Sequence, residues 1–114
     1  TYGTLAGGIL TGAFRTLPHF GPKDIRYTFY TGFKEPLFSK IQKLLLDMDT
    51  LAAKHGRSVA QVALAWAMQK EFVTTALVGC SSPARAKENC AAAPLELTAD
   101  EMALLDASIE RNLA

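Results

Sequence analysis

The chain has 114 residues, of which 49% are hydrophobic, and its formal net charge at pH 7 is +1. This length suits one small domain with its own core, and the apolar content argues against a disordered chain. The near-neutral charge gives no general attraction for nucleic acid or for an anionic membrane surface, so we expect neither as a partner.

The sequence also gives no sign of a targeting signal or of a disulfide framework. No apolar run approaches the roughly 20 residues of a membrane-spanning helix, and no secretory leader is recognisable. Two cysteines, Cys80 and Cys90, are too few for a disulfide framework, and their positions do not suit a metal site. We therefore expect a cytoplasmic protein with reduced thiols.

The first twelve residues are rich in glycine, which predicts a turn after at most a stub of strand. Four glycines contribute: Gly3, Gly7, Gly8 and Gly12. A Rossmann dinucleotide loop needs a full strand before it and a capped helix directly after it. Pro18, Gly21 and Pro22 instead predict a long loop over residues 13–36, so the Rossmann interpretation is rejected.

The aromatic residues of this loop predict that it is ordered and packs against the rest of the protein. Tyr30 and Lys34 have the Tyr-x-x-x-Lys spacing that short-chain dehydrogenases carry on a helix. Gly32 and Pro36 disfavour a helix here, so we treat this spacing as coincidence. His19 is interpreted as a surface residue.

A helix is predicted from Pro36 to His55, because apolar residues recur there at i, i+3, i+4 and i+7. Gly56 is placed to end it in the left-handed conformation. The apolar face comprises Ile41, Leu44, Leu45, Met48, Leu51 and Ala52.

A second helix is predicted from Val59 to about Lys70. Ser58 and Gln61 have the spacing of a capping box at its start. The segment is apolar almost all round, so we expect the helix to be buried on several sides, with Trp66 in the interior.

The segment from Phe72 to Val78 is short, β-branched and mostly apolar, which predicts a strand buried on both faces. Gly79 lets the backbone turn after it and lets another group approach closely. Ser82 is a good N-cap and Pro83 suits the first helical position, so a helix should begin there and run to about Ala93.

The start of that helix has the features of an anion site. Free backbone N–H groups and the positive end of the helix dipole face the turn. The hydroxyls of Ser81 and Ser82 and the guanidinium of Arg85 are within reach. This pattern favours a phosphate, such as that of a nucleotide, and the alternative is an ordinary capped helix start.

A last helix is predicted after Pro94, where Thr98 and Glu101 have capping-box spacing. One side of this helix is apolar and carries Met102, Leu105 and Ile109.

One complete strand cannot form a sheet, and a strand between helices belongs to a parallel βα array. We therefore predict an α/β fold, in which this chain is a fragment of a larger protein or associates to pair its strand.

The sequence from Leu51 to Trp66 superficially resembles a DNA-binding helix-turn-helix. A recognition helix presents polar or basic side chains to base edges. The segment from Val59 to Met68 offers only Gln61 for this, so the nucleic-acid interpretation is rejected.

Two stretches resemble the C-terminal part of the aldo-keto reductases: Tyr2 to Gly12, and Ser58 to Asp106 with its motif Gly79-Cys80-Ser81-Ser82, Arg85, Glu88-Asn89. The resemblance implies that residues 1–114 are a C-terminal fragment of a (β/α)₈ TIM barrel, helix-rich as an isolated chain. They would comprise the end of strand seven, the loop 13–36, helices, strand eight and C-terminal helices. Phosphate sites of such barrels are built after strands seven and eight.

The resemblance also implies a nicotinamide cofactor, NADPH more than NADH. Tyr2 corresponds to the aromatic residue that stacks on the nicotinamide. Gly3, Leu5 and Gly7 correspond to the turn around the pyrophosphate, although many relatives have a serine in place of Gly3.

The second half of the site follows from the motif after the predicted strand. By resemblance, Ser81, Ser82 and Arg85 surround the adenosine 2′-phosphate, with Gly79 beside them, and many relatives have a lysine nearby that this chain lacks. Glu88 and Asn89 correspond to the pair that contacts adenine.

The family's catalytic tyrosine, lysine, aspartate and histidine have no match here, because none of Tyr27, Tyr30, Lys34 or His19 fits those motifs. The implied function is reduction of a small aldehyde or ketone, to which this segment contributes cofactor binding but no proton donor. Its partner would be the remainder of the barrel or a second copy. The alternative is a non-catalytic nucleotide-binding or regulatory subunit, or a truncated remnant.

Overall fold

A computed structural model describes residues 4–21, 23–26 and 30–113. Within these residues two short 3₁₀ elements, Ala6–Thr11 and Thr31–Phe33, precede the helices. Four complete α-helices follow: α1 (Leu37–His55), α2 (Val59–Met68), α3 (Pro83–Cys90) and α4 (Ala99–Leu113). Helix α1 packs against α2 and α4, and α2 also contacts α3 and the first 3₁₀ element.

Helix α1 confirms the predicted helix and its end. Gly56 follows with a φ of 62°, and its N–H donates to the carbonyls of Ala52 and Ala53. The predicted apolar face is the face that is buried, with Leu45 fully enclosed. This face forms one half of the core against α2 and α4.

Helix α2 is the most enclosed element, as its all-round apolar pattern predicted. Each of its first seven residues is buried. The Ser58 hydroxyl accepts from the Gln61 N–H at 3.2 Å, and the Gln61 Oε1 accepts from the Ser58 N–H at 3.0 Å. The predicted capping box is therefore confirmed, and α2 ends at Met68, two residues before the predicted end.

Trp66 is not in the interior, so that prediction is wrong. The ring is half-buried where α2 meets α4, and its Nε1 donates to Asp106 at 2.9 Å. The ammonium of Lys70 lies 4.7 Å from the centre of the ring and also bonds Asp106. An indole N–H needs an acceptor, and here the acceptor is a carboxylate at the surface.

The predicted strand from Phe72 to Val78 is also wrong. No part of the described chain forms a β-strand, and residues 73–80 have no regular structure. Phe72 is 84% exposed and Leu77 61% exposed, so the segment is not buried on both faces. A strand needs a neighbour to bond its N–H and C=O groups, and no other described segment supplies one. The described residues thus form helices and loops, which agrees with the helix-rich fragment that the resemblance implies, and the strand is the part of that prediction that is wrong.

The loop before α1 is ordered over its described residues, as its aromatic content predicted. Phe14, Phe20 and Phe33 pack edge to face, with ring centres 4.9–5.9 Å apart. The Arg26 guanidinium lies 4.2 Å from the centre of the Phe20 ring and pairs with Asp24. His19 is exposed, as expected.

Helix α4 begins with the predicted capping box. The Thr98 N–H donates to Glu101 Oε1 at 2.9 Å, and the Glu101 N–H donates to the Thr98 hydroxyl at 3.1 Å. Glu101 is 4% exposed, with His55 Nε2 at 2.7 Å and Lys54 Nζ at 3.4 Å from its Oε2. Burial raises the pKa of Glu101, but the bonds from Thr98 and His55 and the charges of His55 and Lys54 outweigh burial and lower it to about 2.

Within the described ranges, no helix combines the length and apolar character needed to cross a membrane. The core lies between α1, α2 and α4 and is closed at one end by Ile9 and Phe33. This arrangement leaves the glycine-rich turn, the segment 73–80 and α3 together beside α2.

We expect Glu101 to make stability depend on pH. Its ordinary pKa of 4.5 falls to about 2 on folding. The ionised carboxylate therefore contributes stability that is fully present above pH 4.5 and is lost as the pH falls towards 2. Thermal unfolding of the wild type and Glu101→Gln, followed by circular dichroism, should show a wild-type advantage that shrinks across this range. A constant difference would contradict the assignment.

Candidate functional site

The glycine-rich turn, residues 4–12, has a backbone that few other residues could adopt. Gly7, Gly8 and Gly12 have φ values of 70°, 98° and 78°. A Cβ on Gly7 would lie 2.7 Å from Cδ2 of Tyr30, so glycine is required there both by conformation and by space. Ile9, fully buried, fixes the turn to the core. The predicted cofactor residues Tyr2 and Gly3 lie outside the described residues.

The turn lies against the segment 73–80. The Thr4 hydroxyl donates to the Leu77 carbonyl at 3.2 Å. Beside this contact is a cleft of about 320 Å³, which we call the turn cleft. Its lining includes Leu5, Gly7, Tyr30, Gly79 and Arg85.

A second cleft, of about 270 Å³, continues from the first along α3 and is called the helix cleft. The two clefts share Leu5, Thr11, Gly79 and Arg85, so they adjoin at the Arg85 side chain, and together they are called the groove. The helix cleft adds Glu88 and Asn89 to this shared lining. The groove therefore brings together six of the residues predicted from sequence: Leu5, Gly7, Gly79, Arg85, Glu88 and Asn89.

The start of α3 confirms the predicted cap. Ser82 is the N-cap, its hydroxyl accepts from the Arg85 N–H at 3.2 Å, and Pro83 occupies the first turn. The helix ends at Cys90, short of the predicted Ala93. Ser81 and Ser82 are exposed and are not part of either lining, so their role at a phosphate stays a prediction.

The guanidinium of Arg85 is exposed and has no ion-pair or hydrogen-bond partner among the described residues. Arg15, Arg26 and Arg111 each pair with a carboxylate, so this is not the general state of arginines here. A cation at the border of two clefts, with no carboxylate of the described residues within ion-pair distance, suits an anionic ligand.

Glu88 and Asn89 are half-buried and are held from behind by α2 and by the turn before α3. The Glu88 carbonyl accepts from Gln61 Nε2 at 2.9 Å. The Asn89 amide donates to the Cys80 sulfur at 3.3 Å. Arg57 adds a bond to the Ala91 carbonyl at 3.2 Å, so α3 is tied to its surroundings along its length.

Gly79 is not required by the conformation of the free protein. Its φ is not positive, and a Cβ added to it would meet no atom within 4 Å. The space beside it is therefore open. The prediction that another group approaches Gly79 closely therefore requires a ligand in that space.

Sequence reasoning missed two residues of the site. Gln61 was recognised only as a cap, and its signal was a polar side chain in an otherwise apolar helix. Tyr30 was set aside, and no local pattern predicts that a residue in the long loop packs on Gly7. Within the described part of the chain, no group of three or more potential metal ligands is present.

Comparison with known proteins gives consistent matches. The protein-family model described as "Aldo/keto reductase family" matches residues 1–110 of this chain. The protein called aldo-keto reductase str7, from Strobilurus tenacellus, is 32% identical over 104 residues, which are 90% of this chain and 30% of that protein. Protein tas, from Escherichia coli (strain K12), is 31% identical over 106 residues, which are 93% of this chain and 29% of that protein.

The fold has a counterpart among solved structures. The glycerol dehydrogenase AKR11B4 from Gluconobacter oxydans matches with a TM-score of 0.86 and 28% identity, over 98% of this chain and 34% of that one. That protein is a TIM barrel. The chain therefore spans about a third of the length of the relatives that it matches, and its helices correspond to a part of a barrel.

We expect Gln61→Ala to loosen α3, because the change leaves the Glu88 carbonyl without its donor and removes half of the α2 cap. Ser58→Ala is the matched control, since it removes only the other half of that cap. Both variants should lose about 1 kcal/mol of stability from the cap. Only Gln61→Ala should speed amide hydrogen exchange in Pro83–Cys90, and equal exchange in both variants would contradict the assigned contact.

Proposed function

Because this chain belongs to the aldo/keto reductase family, we propose that it forms part of the dinucleotide site of a carbonyl-reducing oxidoreductase. The observation that carries the proposal is the unpaired Arg85 guanidinium at the border of two adjoining clefts. A dinucleotide is a long anion, and the two open clefts together have the Arg85 cation at their border. When bound, a reduced nicotinamide supplies hydride to the carbonyl carbon of the substrate.

The helix cleft suits the adenosine half of the ligand. Arg85 would bind the 2′-phosphate by a charge-assisted hydrogen bond, which favours NADPH over NADH. The Ser82 oxygen accepts the Arg85 N–H, but its hydroxyl proton can still be donated to the same phosphate. Glu88 and Asn89 line the cleft where adenine would lie, and Asn89 retains a carbonyl oxygen for it.

The turn cleft suits the pyrophosphate. Gly7 and Gly8 line this cleft beside the Tyr30 ring, so the phosphates would lie along the backbone of the turn. The proposed contacts of Leu5 and Gly7 lie in this cleft. Those of Tyr2 and Gly3 rest on the family resemblance alone.

The proposal assigns binding to this chain and leaves the proton donor to other parts of the protein. No residue of the chain matches the family's catalytic motifs, so we expect dinucleotide binding without turnover from this segment. The names of the matched proteins, an aldo-keto reductase and a glycerol dehydrogenase, support a small carbonyl compound or alcohol as the substrate class. Binding without turnover in the whole protein would favour the alternative of a regulatory subunit.

We expect Arg85→Ala to weaken NADPH binding by about tenfold to a hundredfold, because a hydrogen bond to a charged group contributes about 1.5–3 kcal/mol. NADH lacks the 2′-phosphate and should lose little affinity. Isothermal titration of both dinucleotides measures the two losses.

Lys87→Ala is the control for that experiment. It removes the same charge from an exposed position of the same helix, outside both clefts. Its affinity for NADPH should stay close to the wild-type value. Equal losses for NADPH and NADH, or equal losses in the two variants, would place Arg85 away from the 2′-phosphate.

A further inference from the structure

Tyr30 is held rigidly in the wall of the turn cleft. Its N–H donates to the Arg26 carbonyl at 2.9 Å, and its own carbonyl accepts from the Phe33 N–H at 3.2 Å. The ring lies on the backbone of Gly7, since a Cβ there would be 2.7 Å from Cδ2 and 3.0 Å from Cε2. The side chain is half-buried and shares the cleft with Gly7, Gly8 and Arg85.

The hydroxyl of Tyr30 has no hydrogen-bond partner among the described residues. The neighbouring hydroxyls differ in this respect. Thr11 donates to the Gly8 carbonyl at 2.6 Å and accepts from the Ala13 N–H at 3.2 Å, and Thr4 donates to the Leu77 carbonyl. The Tyr30 side chain lines this cleft and its hydroxyl is open to solvent, so the O–H is available as a donor to an acceptor on a ligand there.

The order of groups in a dinucleotide indicates which ligand atom would meet this hydroxyl. If the 2′-phosphate lies at Arg85 and adenine beside Glu88 and Asn89, the pyrophosphate lies one ribose away, in the turn cleft. Phosphate oxygens are strong acceptors, and a phenolic O–H is a good donor to them.

We propose that Tyr30 is a positioning residue for the pyrophosphate: its hydroxyl donates to a phosphate oxygen while its ring fixes the glycine-rich turn. This inference rests on the proposed function, because it requires a dinucleotide in the groove. It gives the long loop before α1 a specific role beside the glycine-rich turn. The loop carries a hydrogen-bond donor to the turn, and the aromatic cluster keeps the loop ordered.

The test compares two ligands on one set of variants by isothermal titration. Tyr30→Phe keeps the ring and removes the hydroxyl, and it should weaken NADPH about tenfold. Adenosine 2′-monophosphate has no pyrophosphate, so its affinity should not change. Thr31→Val removes an exposed hydroxyl one residue away and should change neither affinity. Thermal unfolding of each variant confirms that the fold is retained.

Arg85→Ala separates failure of this inference from failure of the proposed function. If Arg85→Ala weakens both ligands and Tyr30→Phe weakens neither, the groove binds nucleotide and the role of Tyr30 is overturned. Equal weakening of both ligands by Tyr30→Phe would also overturn it, since that pattern indicates a general structural effect. If the wild-type chain binds neither ligand, the proposed function fails and the inference fails with it.

Discussion

The side-chain amide of Gln61 connects the helical core to the candidate site. Its oxygen completes the cap of α2, and its nitrogen holds the Glu88 carbonyl of α3 at 2.9 Å. Gln61 is buried, so leaving its amide oxygen or its amide nitrogen without a partner would cost about 1–3 kcal/mol. Arg85 lies less than one helical turn before Glu88, and the place of its guanidinium therefore depends on how α3 is held. One amide thus links the most buried helix to the groove.

The groove itself joins parts of the chain that are far apart in sequence. The glycine-rich turn is fixed to the core by Ile9, and α3 is fixed by Gln61 and Arg57. Between them, the segment 73–80 lies at the surface with few constraints. The turn and α3 therefore form two fixed sides of the groove, and the segment between them is largely exposed. This arrangement suits the proposed dinucleotide, whose phosphates would lie between the turn and α3.

Local signals were predicted well from the sequence, and non-local pairings were not. The caps at Ser58, Ser82 and Thr98 depend on residues three positions apart, and the structure confirms each of them. The strand prediction for residues 72–78 was wrong because the pattern describes side chains and cannot supply a neighbouring strand. Trp66 was misplaced because its apolar context concealed the need of its N–H for an acceptor.

The same division applies to the site. The motif around Arg85 could be proposed from the sequence because its residues are close together and match a family pattern, and its role at a cofactor stays a prediction. The contact between Gly7 and Tyr30 crosses the long loop, so no spacing rule reveals it. The most direct test of one continuous dinucleotide site is a two-dimensional amide NMR titration of this chain with NADP⁺. Shifts should appear together in residues 5–12, at Tyr30 and in residues 79–89, and shifts confined to α3, with the turn unchanged, would contradict it.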